Sequence, residues 1–109
     1  MKRLVLLAAL VVSASSFAQP VAKVAVYANG SIELNGRRVS ATDLDSGLRL
    51  HAGKSGVVWY HRENPAAEPH PNADVVVQTI IRHRLPVSMS TKPDFSDYVD
   101  AGGVSRPRR

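Results

Sequence analysis

Apolar and polar residues alternate along Lys23–Leu34: Val24 and Val26 alternate with Ala25 and Tyr27, and Ile32 and Leu34 alternate with Ser31 and Glu33. A period of two puts successive side chains on opposite faces of an extended chain, so this stretch predicts two strands with Asn29-Gly30 turning between them. A loop of those two residues alone would set Val26 opposite Glu33, and the apolar faces would disagree. A three-residue loop, Ala28-Asn29-Gly30, pairs Val26 with Ile32 and Val24 with Leu34, with Gly30 left-handed as such a loop requires. A second Asn-Gly, at Asn35 and Gly36, interrupts the strand before Arg37-Arg38-Val39 and reads as a bulge or a tight bend.

The period then lengthens to that of a helix. Ser40 is a capping residue with Asp43 three positions on, Ala41, Leu44 and Leu48 share a face, and Gly53 ends the segment. Val57-Val58-Trp59-Tyr60 is an unbroken apolar, β-rich run, as in a strand near the centre of a sheet. Pro65, Pro69 and Pro71 make Arg62–Pro71 a loop. Asn72 then caps a second helix, whose stripe of Ala73, Val76, Val77, Ile80 and Ile81 is the strongest periodic signal in the chain. Pro86 stops it, and Val87-Ser88-Met89-Ser90 alternates as a last strand. The order β-β-α-β-α-β, with right-handed crossovers, predicts an α+β two-layer sandwich: a four-stranded mixed sheet with both helices on one face, over residues 19–90. Residues 91–109 read as a tail, first acidic and aromatic, then basic.

Ahead of this domain, Lys2 and Arg3 precede the apolar run Leu4–Val12, and Ser16-Phe17-Ala18 fits a signal-peptidase site. Residues 1–18 therefore read as a cleaved export signal, with a mature chain starting at Gln19 and acting in the periplasm. Nine apolar residues are too few for a membrane span, which takes about 20. The chain has no cysteine, which excludes disulfides, thiolate metal sites and a lipid-modified cysteine. Of its 14 Lys and Arg, Arg106, Arg108 and Arg109 crowd the end; Gln19–Ser105 carries nine basic and nine acidic residues. A near-neutral body argues against nucleic-acid binding.

The run Val24-Ala-Val-Tyr-Ala-Asn-Gly-Ser-Ile-Glu-Leu-Asn-Gly-Arg-Arg-Val39, followed by a Ser-capped helix, resembles the periplasmic domain of the ExbD and TolR biopolymer-transport family. The likeness extends over Val24–Met89 in the order of elements. It implies a non-enzymatic interaction module of the cell envelope that dimerises or engages other envelope proteins and, in TolR-like members, associates with peptidoglycan. Family members also carry an Asp in a membrane span for proton coupling. Met1–Ala18 holds neither Asp nor Glu, so that role maps onto nothing here.

No residue constellation specifies a reaction or a cofactor. No Ser lies in a G-x-S-x-G elbow, and His61, Glu63 and His70, though near one loop, lack the spacing that fixes metal-ligand geometry. The candidate contact residues are Arg37 and Arg38, a cationic pair suited to an anionic partner, and Tyr60, His61 and Arg62, leaving the C-terminal end of a central strand where open sheets place binding sites. Asp94, Phe95, Asp97 and Tyr98 belong to a tail segment with three readings: it covers a sheet edge, lies disordered, or orders on a partner by strand addition. The expectation is a module binding envelope proteins or itself; the alternative is a stand-alone module binding cell-wall material or a small polar ligand through Arg37, Arg38, His61 and Arg62.

Overall fold

The computed structural model describes residues 19–108; the expected export segment, Met1–Ala18, lies outside them. The chain forms β1 (Val21–Val26), β2 (Ile32–Leu34), β3 (Arg37–Val39), α1 (Ala41–Ala52), β4 (Val57–Arg62), α2 (Pro71–Arg82), β5 (Val87–Ser90), β6 (Asp97–Val99) and β7 (Ser105–Pro107). The architecture is α+β, with a mixed five-stranded sheet in the order β3-β2-β1-β4-β5 and a separate hairpin, β6-β7.

The β1–β2 register is the one that the apolar faces demand, with Val24 opposite Leu34 and Val26 opposite Ile32. Tyr27 and Ser31 close the three-residue loop, and Gly30 adopts φ +91°. Gly30 also lies against the imidazole of His70, with no room for a Cβ between them. The fifth strand is a correction to the expected sheet of four. Asn35 and Gly36 take φ +53° and +84°, both left-handed, as a tight two-residue hairpin turn requires. Arg37–Val39 therefore folds back antiparallel on β2, and Arg38 faces Glu33.

Ser40 caps α1, its hydroxyl accepting from the Asp43 amide at 3.0 Å. Leu44 and Leu48 are fully buried, whereas Ala41 is exposed. The cap of α2 is His70, not Asn72: the His70 Nδ1 accepts from the Asn72 amide at 3.0 Å, and Pro71 occupies the first turn, which its fixed φ suits. Asn72 instead donates from Nδ2 to the Gly30 carbonyl at 2.8 Å, tying α2 to the β1–β2 loop. On α2, Ala73, Val76, Thr79 and Ile80 are buried, and Ile81 is exposed. The helices are joined by Asp45, which accepts from Arg82 at 2.9 Å and His83 at 2.8 Å. Those two donors hold its carboxyl at a pKa of about 2.

Both helices pack on one face of the sheet, over a core of Val24, Val26, Ile32, Leu44, Leu48, Val58 and Val76 with their neighbours. β1, β4 and β5 run parallel. No helix among the described residues is long and apolar enough to cross a membrane. Residues 91–108 cross the other face as a strap that includes the β6–β7 hairpin. Phe95 packs edge-on to His61, with ring centroids 6.2 Å apart, and Arg108 stacks on Trp59 at 3.9 Å.

Candidate functional site

β4 and β5 end beside the first turns of α2, and the chain leaves β4 through a proline loop that cannot extend the ladder. The result is an open groove of about 420 Å³. Tyr60, Ala73, Val77 and Met89 give it an apolar surface, with Pro65 and Pro69 from the loop and Val99 from β6. Arg62 and Asp74 supply opposite charges, and Arg62 donates to the Pro65 carbonyl. Side chains at the ends of parallel strands converge here because the crossover helix starts where the strand stops, which is why open sheets place sites at this end.

Tyr60 is 4% exposed, and its hydroxyl has no hydrogen-bond partner among the described residues. Burial raises its pKa, against the pull of Arg62, so the hydroxyl is a neutral donor at ordinary pH. A buried phenol normally finds a partner, and this one belongs to the lining of an open groove. The apolar surface continues beyond the groove. Val87 and Met89 on β5 are 49% and 45% exposed, and Ile81 on α2 is 59% exposed. β5 is the outer strand of the sheet, with no strand bonded to its far side among the described residues.

The residues singled out from sequence fall in three places. Tyr60 and Arg62 meet in the groove. His61 points the other way and is buried, its Nδ1 3.2 Å from the Ser90 carbonyl, beneath Phe95. Arg37 and Arg38 are exposed on β3, across the sheet from β5. In the strap, Phe95 and Asp97 are buried, Tyr98 is half-buried near Arg108, and Asp94 is exposed, accepting from the Ser96 amide. Asp97 accepts from the Thr91 amide and hydroxyl, the Lys92 amide and the Ser105 hydroxyl. These bonds, Thr91 and Ser105 foremost, hold its pKa at about 2. His61, Glu63 and His70 diverge: Glu63 accepts from the Ala28 amide at 2.8 Å, and His70 caps α2. Among the described residues no three His, Asp or Glu side chains are grouped to hold a metal ion.

Sequence reasoning placed Val77 in the core stripe and Met89 on a strand, but not at a groove. Their exposure depends on β5 being an edge strand, which alternation alone does not encode. Nothing in the local pattern marks Arg108, whose guanidinium bonds Ser88, Ser90 and the Phe95 carbonyl.

No protein-family model and no curated protein matches this chain.

Proposed function

We propose that this chain is a non-enzymatic, exported protein of the cell envelope: an interaction module like the periplasmic domain of ExbD and TolR proteins, without their proton-coupling membrane helix. The observation that carries this reading is the groove beside β5, whose apolar lining contains the buried hydroxyl of Tyr60, without a hydrogen-bond partner among the described residues. The occupant that fits is an extended segment of another envelope protein. Such a segment adds backbone hydrogen bonds to an outer strand and drops alternate side chains into pockets. Here it would lie along β5, put an apolar side chain over Val77 and Met89, and offer a carbonyl to Tyr60. Exposed Arg84 near the start of β5 and Asp74 at the groove give the track a positive and a negative end, favouring a segment charged in the opposite sense.

A polar ligand held by Arg37, Arg38, His61 and Arg62 together is less well supported. Those residues lie on β3, under the strap and at the groove, and do not converge. The test is a photo-crosslinking amino acid at position 89 in cells, with a second at position 38 for comparison. Capture at position 89 of an envelope protein, mapped to an extended segment and lost on Tyr60→Phe or Val77→Asp, is the expected result. Equal capture at both positions, or recovery of wall fragments only, would overturn the groove reading.

A further inference from the structure

Arg108 is held as a ligand is held. Its guanidinium carbon lies 3.9 Å from the centroid of the Trp59 ring. Nη1 donates to the Ser88 hydroxyl at 3.1 Å, Nη2 to the Ser90 hydroxyl at 2.7 Å, and Nε to the Phe95 carbonyl at 3.0 Å. All three nitrogens of the planar fork are bonded, and its flat face rests on an indole. That combination suits a guanidinium and not an ammonium, which is a compact point charge with no plane to stack.

The cage is built without the strand that fills it. Trp59 comes from β4, Ser88 and Ser90 from β5, and the Phe95 carbonyl from the turn before β6. Parallel pairing sets Trp59 beside Ser88 and His61 beside Ser90, so both hydroxyls and the indole share the strap side of the sheet. Phe95 adopts φ +59°, an unusual conformation for a bulky residue, and this geometry presents its carbonyl to the guanidinium. The occupant directly follows β7, an exposed strand of three residues paired with β6. An exposed strand this short, paired on one side only, opens more readily than the strands of the core.

We propose that Trp59, Ser88, Ser90 and the Phe95 carbonyl form a binding site for an arginine side chain, filled in cis by Arg108 and open to an arginine-bearing extended segment of a partner when β7 peels away. The partner strand takes the place of β7 beside β6, and its arginine takes the place of Arg108. This site lies on the face opposite the helices and stands or falls independently of the groove beside β5.

Trp59 is the only tryptophan of the chain, so its fluorescence reads the cage directly. In Arg108→Ala, acrylamide should quench Trp59 more strongly than in the unaltered protein. N-acetylargininamide should restore protection saturably at millimolar concentration, and N-acetyllysinamide should act about tenfold more weakly. The unaltered protein, its cage filled, should respond to neither amide. Arg108→Lys keeps the charge and most of the length but not the fork, and should behave as Arg108→Ala does. Unchanged far-UV circular dichroism in either variant shows that the fold persists, and one folded variant suffices for the titration. Equal effects of the two amides, or quenching in both variants identical to that of the unaltered protein, would overturn the proposal.

Discussion

One sheet is closed on its two faces by different chemistry. Along β4, Val58 and Tyr60 turn toward the helices while Trp59 and His61 turn toward the strap, so sequence neighbours sit in opposite surroundings. The helix face is sealed by fully buried Leu44, Leu48, Val24, Val26, Val58 and Val76, and apolar burial of this kind is non-directional and shared among many contacts. The strap face is sealed by one phenyl ring, one guanidinium and a set of directed hydrogen bonds. The first closure should fail globally when damaged, and the second locally.

The largest effect is expected from Leu48→Ala, which leaves a cavity in the helix-side core. Urea unfolding followed by circular dichroism should show a loss of about 2–5 kcal/mol. Phe95→Ala removes a buried ring from the other face, and a comparable loss there would erase the distinction between the two closures. The expectation is instead that hydrogen exchange accelerates at Asp97–Val99 while the global midpoint moves much less than in Leu48→Ala.

Acid offers a gentler probe of the same contrast. The pKa of Asp97 in the fold, about 2, lies below its ordinary value of 3.8. Its contribution to stability is therefore complete above pH 3.8 and is lost as the pH falls through about 2. Strap amides should lose protection across that window, and Asp97→Asn should flatten part of the dependence. The remainder belongs to Asp100, whose pKa is lowered chiefly by Arg106, and to Asp94, whose pKa is lowered chiefly by its bond with Ser96. Asp45, also at about 2, titrates in the same window at the helix–helix contact, so the readout must be exchange at the strap and not overall unfolding. The smallest effect, about 1 kcal/mol, is expected from Ser40→Ala, which removes the cap of α1 without touching either closure.

The contrast between faces also decides how much was legible in the sequence. The β1–β2 register followed from Val24, Val26, Ile32 and Leu34, because a slip of one residue would turn every apolar side chain to the wrong face. The cap at Ser40 was readable because its partner, Asp43, lies three residues away. β3 was hidden because three residues, two of them arginines, carry no visible alternation. The α2 cap was misplaced because Pro71 reads equally as the end of a loop and as the first helical residue. The groove was half visible: Tyr60 and Arg62 stood out at a strand end, but Met89 and Val99 join them only through tertiary placement. The tail was legible as a candidate cover for a sheet edge, but its path across the face was hidden, because its ties, such as Arg108 to Ser88 across 20 positions, follow no period.

The direction of β1 has a practical consequence. Val21 pairs with Val57, the first residue of β4, while the groove gathers around Tyr60 and Arg62 at the other end of that strand. With a rise of about 3.3 Å per residue, a strand of six residues spans about 20 Å. Any tether ahead of β1 thus leaves from the pole opposite the groove, and a surface holding the protein by that end would leave its mouth facing outward. A handle fused behind Arg108 would pull on the residue that pins the strap. For immobilisation or display, the N-terminal side is the one to hold.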